Sequence, residues 1–186
     1  MILLAKSLSV GMLFVGVATA VALAGCRAPA PQTGAPAAQL AAPREPRRLE
    51  TRLTIDMREM FFATAEGTRG GPLRVPAEKV VGLRISNKGT IDHEIAFGRE
   101  VIYEEGRPSG YRHNLFGDIP VDVFVYPSGK KVEVETEGGV EELEMEPGAE
   151  VWLRMTFPAE AKGEWEIACF TPGHYEEGMR AKFIIE

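Results

Sequence analysis

Histidine, cysteine and basic residues are all in short supply in this chain. Two cysteines, Cys26 and Cys169, cannot supply a disulfide framework. The 21 basic residues are outnumbered by 27 acidic ones, for a net charge of −6. A nucleic-acid binder needs a basic surface to meet phosphates, so that class of partner is excluded. After the first 25 residues no stretch shows a convincing helical stripe of apolar residues, which argues against a helical bundle. What is present is 45% hydrophobic and 26% charged, the composition of a globular protein rather than of a collagen, a disordered chain or a multi-span membrane protein.

Three segments follow one another. Lys6 is the only charge before position 27, and Ser7 to Gly25 is apolar or small. A charged start, an apolar stretch and small residues before a cut make a secretory signal. Its ending, Leu23-Ala24-Gly25-Cys26, resembles a bacterial lipobox, which implies cleavage after residue 25 and lipidation of Cys26. An uncleaved membrane span is the competing reading, since 19 uncharged residues nearly cross a bilayer. Either way the remainder is expected outside the cytoplasm and anchored to the cell membrane. Residues 26–49 are rich in alanine and proline and lack apolar periodicity, as a semi-rigid tether would. Residues 50–186 form the folded domain.

That domain reads as strands. Val151, Leu153, Met155 and Phe157 alternate with Trp152, Arg154 and Thr156, the period-two pattern of a strand with one buried face. Val80 to Ser86, Ile91 to Phe97, Val140 to Met145, Trp165 to Phe170 and Arg180 to Ile185 are further strands. Val121 to Tyr126 and Lys131 to Thr136 flank Pro127-Ser128-Gly129 and are expected to form a hairpin. Many short strands broken by Gly and Pro indicate an all-β sandwich of two mainly antiparallel sheets.

Chemistry is concentrated in the last connection, Cys169-Phe170-Thr171-Pro172-Gly173-His174-Tyr175-Glu176-Glu177-Gly178-Met179. Pro172 and Gly173 curl the chain, so a thiol, an imidazole and a thioether can converge from a short loop. A second imidazole, His93, follows the turn signal Asn87-Lys88-Gly89. Two His, one Cys and one Met are the ligand set of a blue copper site: a trigonal plane of nitrogen and sulfur with a weak axial thioether. Zinc also takes Cys and His, but a thioether is a poor zinc ligand, so Met179 favours copper.

With these residues the chain resembles the cupredoxin family, the small blue copper proteins such as azurin, plastocyanin and auracyanin. The resemblance rests on Asn87-x-Gly89 leading to His93 and on Cys169 through Met179, and it covers the domain from about residue 50 to the end. It implies a Greek-key β-sandwich, one copper ion near one end held by His93, Cys169, His174 and Met179, and electron transfer as the activity. In that family both histidines bind through Nδ1 and the loop histidine, here His174, turns its outer edge to a partner. Asn87, Phe170 and Pro172 are expected around the ligands, with Phe170 and Pro172 keeping water from the sulfur. Extra material from about Arg99 to Tyr126 departs from the family pattern and is expected to cover the copper end, extend a sheet or bind a partner.

The other candidates have plainer readings. His113 has no ligand neighbours at short spacing and is expected at the surface. Met57 and Met60 lie three apart, on opposite faces of a strand, as core and rim. Eight glutamates between Glu133 and Glu150 are read as a solvated face, or as a steering patch for a basic partner. The expected function is a membrane-tethered carrier of single electrons between redox proteins. The alternative is a copper-handling protein that exchanges the ion with a donor or acceptor for tolerance, storage or delivery. An enzyme such as a nitrite reductase or multicopper oxidase fragment is discounted, because further copper centres need several more histidines and only His113 is left.

Overall fold

The computed structural model describes residues 45–64 and 68–186. The expected signal 1–25, Cys26 and the expected tether up to residue 44 lie outside them. Twelve strands run in chain order: β1 Thr51–Arg58, β2 Phe61–Thr64, β3 Leu73–Val75, β4 Val80–Asn87, β5 His93–Glu104, β6 Arg107–Asn114, β7 Asp122–Val125, β8 Val132–Thr136, β9 Val140–Met145, β10 Glu150–Thr156, β11 Gly163–Ala168 and β12 Arg180–Ile185. A single 3₁₀ turn, Ala159–Ala161, is the only helical element among the described residues.

The strands form two sheets. One has the order β2-β1-β4-β10-β7; the other runs β3-β12-β11-β5-β9-β8, with β6 added alongside β5. Pairing is antiparallel except for β1 with β4 and β3 with β12. The chain passes repeatedly from one sheet to the other, as in a Greek-key sandwich. Alternation explains the layering. Leu83 and Ile85 of β4 and Val151 and Leu153 of β10 point inward from one sheet; Ile95, Leu143 and Phe183 meet them from the other, all fully buried. Phe97 anchors an aromatic group at the centre, 5.0 Å from the Phe116 ring and 5.4 Å from Phe183 in an edge contact.

The Pro127-Ser128-Gly129 turn does not close a hairpin. β7 pairs with β10 in the first sheet, whereas β8 pairs with β9 in the second. The turn residues fix a sharp bend, with Gly129 at φ +73°, but they do not dictate that the flanking strands pair with each other. Here the bend carries the chain across the sandwich edge. The expected strand Ile91–Phe97 starts two residues later and continues to Glu104, because the extra segment extends it. β5 gives its first half to β9 and its second half to β6. The outer face of β10 is less open than alternation implies. Trp152 is 8% exposed, and Leu49 lies beside it where a side chain on Gly82 would clash. Met57 is in the core and Met60 is half-buried in the turn after β1, as core and rim.

Candidate metal centre

Strand register assembles the site. Ile167 and Ala168 of β11 pair with Phe97 and Ala96 of β5. One step further along, Cys169 arrives beside the start of β5, where the Glu94 N–H points at its Sγ from 3.4 Å. His93, Ile95 and Phe97 share the inward face of β5, so the imidazole is buried at the end of the core. The connection to β12 then folds on itself. The His174 N–H donates to Thr171 O at 2.9 Å, Met179 N–H to His174 O at 2.9 Å, and Cys169 N–H to Met179 O at 3.1 Å.

Cys169, His93 and Met179 are fully buried and His174 is 6% exposed. His174 Nδ1 is 3.2 Å from Cys169 Sγ and 3.3 Å from His93 Nδ1. Two atoms bound to one ion at about 2 Å each must lie within about 4 Å of each other, and both pairs satisfy this. His93, Cys169 and His174 bring one donor atom each within 4.8 Å of the others. Soft thiolate plus two imidazoles suit a copper ion of the type 1 kind. Met179, the expected thioether, is buried and is tied through its backbone to both Cys169 and His174.

Burial also sets the protonation of these donors. Desolvation pushes the Cys169 thiol up to about 11, against the opposing contact with Thr171 Oγ1 at 3.3 Å and the Glu94 amide. The metal-free site therefore holds a thiol, and binding an ion displaces its proton. Desolvation and the neighbouring His174 hold His93 below the ordinary imidazole value, which keeps a neutral ring for coordination.

The residues expected around the ligands differ in what they touch. Asn87 is fully buried and makes no bond to Cys169; its Nδ2 donates to Ile91 O at 2.9 Å and Met145 O at 2.7 Å, pinning the turn that delivers His93. Phe170 stacks on Tyr175, with centroids 5.4 Å apart, and meets the Tyr111 edge at 5.0 Å. Tyr111 reaches it because Gly98 has no side chain: a Cβ there would meet the Tyr111 ring at 2.4 Å. Both tyrosine hydroxyls donate to Glu166 Oε1. Pro172 is exposed, so it borders solvent instead of sealing the sulfur. His113 is exposed and pairs with Glu100 at 3.6 Å, away from the donors.

Sequence reasoning overlooked Thr171 and the Glu94 amide at the sulfur, and the Tyr111–Glu166–Tyr175 layer. Thr171 sits two residues from Cys169 and was open to inspection. The others depend on register between distant strands, which leaves no local signal. Beside the loop lies a groove whose lining carries six glutamates, among them Glu94, Glu142 and Glu176, against one cation, Arg107, so this flank is acidic.

No family model matches the sequence, and no curated protein matches it. Among solved structures, the chain is similar to a multicopper oxidase from Campylobacter jejuni (14% identity, TM-score 0.47, 76% of this chain and 31% of that one). It is similar also to auracyanin B (17%, 0.43, 74% and 90%) and to rusticyanin from Thiobacillus ferrooxidans (15%, 0.43, 73% and 77%). The chain thus spans under a third of the oxidase's length. At these identities the assignment of the site rests on its donor atoms.

Proposed function

We propose that this chain is a membrane-tethered, extracytoplasmic blue copper protein of the cupredoxin kind, passing single electrons between redox partner proteins. The observation that carries this reading is the convergence of Cys169 Sγ and the Nδ1 atoms of His93 and His174 in a buried pocket. Copper, when bound there, supplies one-electron exchange at a nearly fixed geometry. The protein's own residues do the rest. His93, Cys169 and His174 would hold the ion, and Met179 would serve as a weak fourth donor. Phe170, stacked on Tyr175, packs on the face opposite the Cys169 thiol and braces the loop from outside the core. His174, the least covered of the ligands, offers the shortest way out to a partner.

The acidic flank supports a partner with a basic face, with charge acting mostly on the rate of encounter. Tethering is supported by the leader and by Leu23-Ala24-Gly25-Cys26; no helix among the described residues is long and apolar enough to cross a membrane. Burial of the donors favours a carrier over a protein that hands copper on, since exchange needs an accessible ion. A non-enzymatic role is supported by the histidine count, with His113 alone outside the site.

Cu(II) added to the protein is expected to give the intense visible band of a thiolate–copper bond, and Cys169→Ser to abolish it. A band of full strength in that variant overturns the ligand assignment. Met179→Leu should keep the colour and raise the reduction potential, because the oxidised ion loses a donor. A carrier retains copper through a redox cycle in the presence of a Cu(I) chelator; rapid loss supports the copper-handling alternative instead.

A further inference from the structure

His93 faces the other donors with Nδ1. Its second ring nitrogen, Nε2, is buried and has no hydrogen-bond partner among the described residues. That nitrogen is aimed at Gly89. A Cβ at position 89 would lie 2.8 Å from His93 Nε2, 2.9 Å from Glu59 Oε1 and 3.1 Å from Asn87 Oδ1. One ring nitrogen and two oxygen acceptors thus gather around the niche beside Gly89, too close for any residue with a Cβ.

Both acceptors are fixed in position. Glu59 Oε1 accepts from the backbone N–H of Thr90 and from its hydroxyl at 3.0 Å. Asn87 Oδ1 accepts from the Gly89 N–H at 2.9 Å, while Nδ2 is held by two carbonyls. Of the two, only Glu59 carries charge. A histidine that ligates a metal nearly always donates its other N–H to a carboxylate, a carbonyl or a water, which sets the tautomer and makes the ring a stronger donor. Buried Nε2 needs such a partner, and Glu59 Oε1, less than about 6 Å away across the flank of Gly89, lies within the span of a single bridging water.

We propose that Glu59 is a positioning residue for the metal centre: its carboxylate receives the Nε2–H of His93 through one water in the Gly89 niche, locks the lone pair onto Nδ1, and favours Cu(II) over Cu(I). This rests on the copper reading above.

The test uses the copper-loaded full chain. Glu59→Gln keeps an acceptor for Thr90 and removes only the charge. It is expected to leave the visible band intact while the ratio of Cu(II) to Cu(I) affinity falls several-fold, read as a rise in potential at low salt. In the diamagnetic Cu(I) form, the ring Nε2–H proton should exchange with solvent at least tenfold faster by NMR. Gly89→Ala, which fills the niche, should accelerate exchange in the same way. An intact band with unchanged potential and unchanged exchange in Glu59→Gln overturns the proposal alone. Failure of the unmutated protein to form the band overturns the copper reading and this proposal with it.

Discussion

Two connections on the same large sheet contrast sharply. The one from Cys169 to Met179 is short and closed on itself: backbone bonds tie His174, Glu177, Gly178 and Met179 to carbonyls within it, and its chemically active side chains are buried. The β5–β6 ribbon, residues 98–114, is longer and mostly exposed. It turns at Glu105 and Gly106, both with positive φ, and carries Tyr103 at 62% exposure. Val101 and Tyr111 of the ribbon pack inward, and Tyr111 meets the Phe170 ring of the other connection. The difference teaches that this protein fixes donors with backbone hydrogen bonds and core contact, and lets charge and exposed surface gather on the ribbon.

The sharpest way to break that comparison is to truncate each side. Phe170→Ala removes the ring that joins the two connections and should cost about 3 kcal/mol in urea unfolding of the metal-free protein. Tyr103→Ala on the ribbon should stay within about 0.5 kcal/mol. Similar losses from the two would show that the ribbon is as integral as the loop. Next in size, Asn87→Ala strands the buried carbonyl of Met145 and frees that of exposed Ile91, and should cost about 2 kcal/mol in the same measurement.

A smaller effect concerns the acidic flank. Burial, then neighbouring carboxylates led by Glu94, pushes the Glu142 carboxyl up to about 7 from an ordinary 4.5. Between those values the folded protein keeps a proton that the unfolded chain has released, so stability falls as pH rises through this window. The penalty is absent below 4.5 and complete above 7. Glu142→Gln should therefore gain roughly 1 kcal/mol relative to the unmutated protein on going from pH 4.5 to pH 8, solvent screening of this half-buried group included. A stability difference that does not change with pH would place the carboxylate in ordinary solvent.

The same contrast explains what the sequence made legible. Strands such as β10 and β12 announce themselves because alternate residues bury, as Phe183 and Ile185 do beside exposed Lys182. The donors are legible because Cys169, His174 and Met179 share one short loop. Pairing partners are not, since a Pro-Ser-Gly bend looks the same whether it closes a hairpin or carries the chain across the sandwich. β1 was missed although Leu53, Ile55 and Met57 alternate within it, and β6 was missed because its polar run shows no apolar face. Glu59 was out of reach: nothing local ties it to His93, and the two meet only because β1 lies beside β4 and both end near the same turn.

The bond from the Cys169 amide to the Met179 carbonyl clasps the ends of the ligand segment like a hoop. A hoop closed at its base can be exchanged as a cassette, shortened or lengthened between two fixed posts, while the scaffold beneath stays as it is. Spacing between imidazole and thioether is therefore a dial that variation can turn without rebuilding the protein.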